Sequence, residues 1–294
     1  MLKKLFKLGL WGLGLLGLLI LFSIAKRIYE KSEREKYLAT LQHTASAQVQ
    51  VLTDTVYIDY LNEKRTLRVY LPKKYEEDSI SYPVLYFFDA GSLFDEKVLK
   101  GPEWQLDEVL DSISNIGGQE AIVIGIDNSE DRMTEYKPYP SLVYPDEKEI
   151  SGDKHAEWVS TDLKAWVDSS YRTKPEPEHN AIGGASLGGI MAYYTLMKFP
   201  EKFGKAFVFS PSFWVNEKIF DIHKELDSLS ALKIYMNVGE EEGNMVTNAE
   251  KMRNILLQDG MSGDQIKLEI FPDLGHEHMT WRKGFKAAYP WILE

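Results

Sequence analysis

Apolar residues occur in two different rhythms along this chain. The first is a run of 18 residues without a charge, "LGLWGLGLLGLLILFSIA", from Leu8 to Ala25. As a helix it is about 27 Å long, close to the hydrocarbon thickness of a bilayer. Lys3, Lys4 and Lys7 precede it, and Lys26 and Arg27 follow. Two readings compete. One is an uncleaved membrane anchor. The other is a signal peptide cut after Ala25, since Ser23 and Ala25 form a small-x-small site. The cations directly after that site favour the anchor, while cations on both flanks leave the orientation open. Residues 1–27 are therefore read as a membrane-directed segment, and the folded part is expected to be anchored or exported, on the extracytoplasmic side. Residues 28–47, "IYEKSEREKYLATLQHTASA", are charged and then small and polar. They read as a short helix or tether, not as core.

From residue 48 the rhythm becomes an alternation of strands and helices. "TVYIDYL" and "TLRVYLP" predict a hairpin, with Asn62, Glu63 and Lys64 between the strands. "PVLYFFD" (Pro83 to Asp89) and "AIVIGID" (Ala121 to Asp127) are continuous apolar runs, suited to strands buried on both faces. Between them, "EWQLDEVLDSIS" has helical spacing at Leu106, Val109, Leu110 and Ile113. "HAEWVSTDLKAWVDSSY" predicts a second amphipathic helix, with Trp158, Leu163, Trp166 and Val167 on its apolar side. "HNAIGGAS", "KAFVFSP", "LKIYMNVG" and "IKLEIFP" supply four further strands, and helices are predicted around 246–257 and 281–291. Two starting strands followed by β–α alternation indicate an α/β fold with a mostly parallel sheet flanked by helices. No repeat or linker interrupts residues 48–294, which read as one domain.

Composition narrows the chemistry. There is no cysteine, so disulfides, thiolate catalysis and Cys-ligated zinc are excluded. The formal net charge of −11 argues against nucleic acid as the main partner, because phosphate binding needs clustered cations.

One stretch carries reactive chemistry. In "NAIGGASLGGIMAYYTLMKFPEKFG", Gly184-Ala185-Ser186-Leu187-Gly188 is G-x-S-x-G between a predicted strand and a helix from Ile190 to Lys198. So tight a turn demands small neighbours. It projects the serine hydroxyl beyond the strand end, and the next N–H can face a developing oxyanion. The bland alternative is a glycine-rich turn in which Ser186 only caps the helix. A serine nucleophile needs a base, and the base needs an orienting acid, in the chain order Ser, acid, His for this arrangement. Three histidines follow Ser186. His223, in "FDIHKEL", is expected on a helical surface. His276 and His278, in "FPDLGHEHMTW", follow the last predicted strand, where the base belongs, and Gly275 gives His276 its sharp turn. His276-x-His278 could also begin a metal site, but no third ligand is evident. The acid should follow "LKIYMNVG", where Glu240, Glu241 and Glu242 stand together. Spacing alone does not choose among them, and two of the three are expected to be merely solvated.

At these residues the chain resembles a known family. Residues 50 to 293 are similar to the Putative esterase family of α/β-hydrolases, which includes esterase D-like enzymes, enterochelin esterase-like siderophore hydrolases, feruloyl and acetyl-xylan esterases and mycolyltransferases. The resemblance rests on "HNAIGGASLGGIMAYYTLMKFPEKFGKAFVFSPSFW", "IVIGIDNSEDRMTEYKP" with Arg132, Glu135 and Tyr136, "VDSSYRTKPEPEH", and "GHEHMTWRKGF" with Trp281 five residues after His276. It implies an α/β-hydrolase fold and ester hydrolysis by a Ser186–Glu242–His276 triad. Glu242 is implied because the family's acid stands three residues after the glycine ending its strand, here Gly239. The resemblance also implies an oxyanion hole from the backbone of Leu187 and of Ala90 or Gly91. "FDAGSLF" from Phe88 to Phe94 departs from the family's His-Asp-Gly-Gln-Asn-Leu-Phe, which reshapes the pocket wall but spares a backbone donor. The acid is Glu where many members have Asp. Trp214, in "SPSFWVN", is either a pocket wall or ordinary core, while Arg132 and Glu135 are expected to brace a loop. No metal or organic cofactor is implied. The expected partner is a small-molecule ester, with siderophore, acylated sugar and phenolic ester all compatible. Two rivals are an acyltransferase with the same triad and a non-catalytic, membrane-tethered binding protein that keeps the fold.

Overall fold

The structure is a computed structural model that describes residues 2–141 and 150–294, with side chains described from residue 19 onward. It divides into two units, Met1–His43 and Thr44–Glu294. The first contains one helix, α1 (Leu2–Thr40). Within the apolar stretch expected at a membrane, the side chains of residues 8–18 lie outside the described residues. Among the described residues no helix is long and apolar enough to cross a membrane.

The second unit is built on an eight-stranded sheet. Its strands are β1 (Val49–Ile58), β2 (Glu63–Tyr70), β3 (Val84–Phe88), β4 (Ile122–Ile126), β5 (Asn180–Ala185), β6 (Lys205–Phe209), β7 (Lys233–Gly239) and β8 (Ile266–Phe271). Their order across the sheet is β1-β2-β4-β3-β5-β6-β7-β8. β1 pairs antiparallel with β2, and β2 with β4; every other pairing is parallel. The continuous apolar runs of β3 and β4 are buried along their whole length. Their side chains alternate between two cores, as a period of two requires. Tyr86 and Phe88 join one core, while Leu85 and Phe87 join the other. The edge strand β8 keeps its lysine and glutamate partly exposed, as an edge with one solvated side should.

Helices cover both faces. α2 (Leu106–Asn115) and the C-terminal helix, α7 (His278–Leu293), place Leu110 and Phe285 against Phe87 and Phe207. On the other face lie α3 (Gly152–Trp158), α4 (Lys164–Ser170), α5 (Leu187–Lys198) and α6 (Asn244–Gln258). The single amphipathic helix expected over 155–171 is broken by a π-helical turn, Val159–Leu163. Ser160 and Thr161 donate their hydroxyls to the carbonyls of Ala156 and Glu157, four residues back, at 2.7 and 2.8 Å. Such back-bonding competes with the regular ladder.

Three local expectations need correction. The hairpin turn covers Asp59 to Asn62, because Glu63 and Lys64 pair in register with Ile58 and Tyr57. Residues 44–47 are not a free tether: Ser46 N–H donates to Asp107 Oδ2 at 2.6 Å, and Thr44 Oγ1 accepts from Glu96 N–H at 3.0 Å. His223 is not on a helical surface but is buried in a short 3-10 turn, with Nε2 at 2.6 Å from Asp259 Oδ2.

A polar cluster sits inside the first core. Arg65 forms an ion pair with Glu135 at 2.5 Å, and Tyr60 Oη lies 2.9 Å from Nδ1 of the fully buried His155. Burial pushes the His155 pKa down to about 4; Glu135 opposes that and Arg65 adds to it. Between the ordinary value of 6.5 and about 4, the unfolded chain binds the proton that the folded chain refuses. His155 should therefore cost stability as pH falls through that window, by up to about 3 kcal/mol at its lower end. Burial raises Glu103 to about 7 and raises Asp107 as well, so these two slope the other way. A difference measurement isolates the histidine. Urea unfolding of wild type and His155→Asn at pH 7 and pH 4.5 should show the wild type losing more stability on acidification. An equal loss in both would contradict the assignment.

Candidate active site

β5 ends at Ala185 and α5 begins at Leu187, which leaves one residue to turn the chain. That residue, Ser186, has φ 58° and ψ −118°, a backbone region costly for any side chain with a Cβ. Neighbouring backbone holds it there. Ser186 N–H donates to Phe209 O at 3.0 Å, and Ser186 O accepts from Ser212 N–H at 3.0 Å. The flanking glycines allow this approach. A Cβ on Gly184 would lie 2.5 Å from Gly188 O, and one on Gly189 would lie 2.7 Å from Phe209 O.

The acid comes from the end of β7. Glu240–Glu242 form a 3-10 turn directly after Gly239, and of the three carboxylates only that of Glu242 turns inward. Glu242 Oε2 lies 2.8 Å from His276 Nδ1. Its other oxygen accepts from Gly239 N–H and from Ser210 Oγ, each at 2.6 Å. Burial alone would raise its pKa, but the hydrogen bonds from His276, Ser210 and Gly239 outweigh that and hold it below the ordinary glutamate value. An ionised carboxylate only accepts, so His276 Nδ1 carries the hydrogen and Nε2 keeps the lone pair. Ser210 is itself fixed, because its Oγ accepts from Trp281 Nε1–H at 2.9 Å. Trp281 packs edge-on to the His276 ring at 5.2 Å between centroids.

Ser186, His276, His278, Trp104 and the Asp89–Arg132 pair all line one cavity of about 390 Å3. Arg132 grips Asp89 with both arms, Nε to Oδ1 at 2.5 Å and Nη2 to Oδ2 at 2.7 Å. Asp89 has φ 61°, so the chain reverses there before Ala90 and Gly91. Among the described residues, no backbone hydrogen bond uses the N–H of Ala90, Gly91 or Leu187. Gly91 lines the cavity and has open space where a Cβ would stand. Trp214 is exposed rather than packed in the core. It borders two further hollows, one of about 580 Å3 with Glu242 and His276, the other of about 180 Å3 with Ser186 and Leu187.

The candidate residues therefore converge from distant parts of the chain. Glu242 and His276 are hydrogen-bonded. Ser186 and His276 share the cavity without a direct hydrogen bond, and the neighbour of Ser186 Oγ is Ser212 Oγ at 3.4 Å. Such links are often long before substrate binds. Arg132 braces the Asp89 loop, and Glu135 is tied to Arg65 as part of the inner cluster. Sequence reasoning missed Ser210, whose only signal was its place directly after β6. It also missed Asp89 as the partner of Arg132, and the bond from Trp104 Nε1–H to His278 Nδ1 at 3.1 Å.

Comparison with known proteins identifies the family. The family model described as Putative esterase matches residues 58–292. Uncharacterized protein YbbA of Bacillus subtilis (strain 168) is 27% identical over 240 residues, 78% of this chain and 92% of that protein. The Iron(III) enterobactin esterase of Dickeya dadantii (strain 3937) is 24% identical over 135 residues, 40% of this chain and 30% of that protein. Among solved structures, the enterobactin esterase FES from Shigella flexneri superposes with a TM-score of 0.64 at 17% identity, covering 85% of this chain and 60% of that one. A ferulic acid esterase gives a TM-score of 0.64 at 18% identity, covering 84% and 98%. These structural likenesses speak for the fold, and the family match across nearly the whole second unit speaks for the activity. The chain belongs to the Putative esterase family and is a carboxylic ester hydrolase with the α/β-hydrolase fold.

Proposed function

We propose that the protein is a serine esterase that cleaves its ester through an acyl-enzyme on Ser186. The observation that carries this reading is the bond of 2.8 Å between Glu242 and His276 Nδ1, with His276 and the strained Ser186 turn facing one cavity. His276 Nε2 takes the hydroxyl proton as Ser186 Oγ attacks the ester carbonyl carbon. The oxyanion that forms is met by the N–H of Leu187 and by that of Ala90 or Gly91. The same proton then passes from Nε2 to the leaving alcohol oxygen as the ester bond breaks. Water enters, loses a proton to Nε2 and attacks the acyl carbon, and His276 returns that proton to Ser186 Oγ. Glu242 keeps the imidazole in the required tautomer and balances its positive charge in between. The substrate is a small-molecule ester. The relatives named for enterobactin and ferulic acid make siderophore and phenolic esters the first to assay. Trp214 is proposed as a wall of the substrate site.

Ser186→Ala should lower kcat/KM for a short 4-nitrophenyl ester by roughly three or more orders of magnitude. Retained turnover would refute the nucleophile.

The other members should rank by their contacts. His276→Ala should cost nearly as much as Ser186→Ala, because triad members act as a unit. Glu242→Gln should cost less, roughly tenfold to a hundredfold short of the serine loss. Ser210→Ala strips a donor from Glu242 and a partner from Trp281 and should lower kcat about tenfold. Glu240→Gln and Glu241→Gln should stay near wild type. Steady-state rates, with folding checked by circular dichroism, provide the ranking; a Glu241→Gln loss exceeding that of Glu242→Gln would overturn the choice of acid.

We also propose that residues 1–27 hold the enzyme at a membrane, on the strength of the uncharged run from Leu8 to Ala25. Full-length protein should sediment with membranes, and deletion of residues 1–27 should release an active, soluble enzyme. A soluble product whose N-terminal sequence begins at Lys26 would instead identify a cleaved signal peptide.

A further inference from the structure

Two histidines face the same cavity, two residues apart, and their partners force opposite tautomers. His276 Nδ1 meets a carboxylate and must donate. His278 Nδ1 meets Trp104 Nε1 at 3.1 Å, and an indole N–H can only donate. His278 Nδ1 is therefore the acceptor, and the hydrogen of the neutral ring sits on Nε2. The lock is firm, because Trp104 is almost wholly buried and packs at a tilt against Trp281 and Phe209. Trp281 in turn packs edge-on to the His278 ring at 4.8 Å. Among the described residues, Nε2 of His278 has no protein partner. It is also absent from the buried unpaired atoms, unlike Nε2 of His155 and Nδ1 of His223. Nε2 is therefore not sealed from solvent, and His278 lines the cavity holding Ser186.

We propose that His278 is a substrate-binding residue, whose Nε2–H donates to an uncharged acceptor oxygen on the ester substrate away from the reacting carbonyl. This rests on the assignment of Ser186 as the nucleophile of that cavity. The chemical class follows from the walls. Trp104, Trp281, Val98 and Leu99 offer aromatic and apolar surface, and the two charges in the cavity, Asp89 and Arg132, neutralise each other. An apolar acyl or alcohol group bearing an ether, carbonyl or hydroxyl oxygen fits such a lining; a carboxylate or ammonium would find no unpaired counter-charge. Burial, Arg282 and His276 all lower the His278 pKa, with Glu277 opposing, which keeps the ring in the neutral form that the Trp104 bond requires. His276 and His278 thus divide the work, one holding a lone pair for the proton of Ser186 and the other a hydrogen for the substrate.

The test uses two isosteric ester pairs with the full chain. The acyl-side pair is 4-nitrophenyl 3-methoxypropanoate and 4-nitrophenyl pentanoate; the alcohol-side pair is 3-methoxypropyl acetate and pentyl acetate. In at least one pair the wild type should favour the ether over its methylene isostere by about fivefold in kcat/KM, relative to alkaline hydrolysis of the same pair. His278→Ala should bring the ether-to-isostere ratio of kcat/KM down to the alkaline value, and His278→Gln, which keeps a donor, should restore part of the preference. Trp104→Phe, which releases the tautomer, should weaken it. Ser186→Ala should stop turnover of all four esters, so failure of the nucleophile assignment would be visible separately. In parallel, long-range 15N–1H spectra of histidine-labelled protein should show His278 neutral with its hydrogen on Nε2. A preference that survives His278→Ala, no preference in either wild-type pair, or a hydrogen on Nδ1 would overturn the proposal.

Discussion

A serine held at φ 58° between β5 and α5 is the constraint on which the site depends. Such a conformation costs about 1–3 kcal/mol and persists only where its surroundings over-determine it. Here the next strand does so, through the paired backbone bonds of Ser186 with Phe209 and Ser212. Those bonds require α5 to start hard against the end of β6, and Gly184 and Gly189 leave the room. The order β5-β6-β7-β8 then explains the rest. Four adjacent parallel strands end at one edge of the sheet and deliver, in turn, Ser186, Ser210 with Ser212, Glu242 and His276. Residues far apart in the chain meet because their strands are neighbours.

Electrostatics complete what the topology begins. The ionisable groups near the hydroxyl are each held by a specific partner. Glu242 is kept ionised by three donors, His276 is oriented by Glu242, and Asp89 is held by both arms of Arg132. The Asp89–Arg132 pair is also mechanical, because it secures the reversal that precedes Ala90 and Gly91. His278 belongs to the same scheme, with Trp104 as its partner.

The parallel core was legible in the sequence because β3, β4 and β5 are buried on both faces and so read as unbroken apolar or small runs. The serine turn was legible because its glycines have a steric reason visible at short range. The π-helical turn at 159–163 was not, since Ser160 and Thr161 look like ordinary polar helix positions until their hydroxyls are placed. His223 misled for a similar reason: its charged neighbours in the sequence suggest a surface, yet the ring is packed against Asp259. The choice among Glu240, Glu241 and Glu242 needed family spacing, because three identical side chains differ only in which one the turn directs inward. Ser210, Asp89 and Trp104 stayed hidden because each acts on a partner 32, 43 or 174 residues away. No periodicity or short motif records such pairs.

In the proposed reaction Ser186 forms a covalent bond to the acyl carbon, and trapping that serine tests the step at the reacting atom. The protein is treated with a fluorophosphonate, and the site of attachment is located by mass spectrometry of its peptides. One adduct is expected, on Ser186, accumulating in proportion to the loss of esterase activity. An enzyme that stays active without an adduct, or an adduct on Ser212 instead, would contradict it.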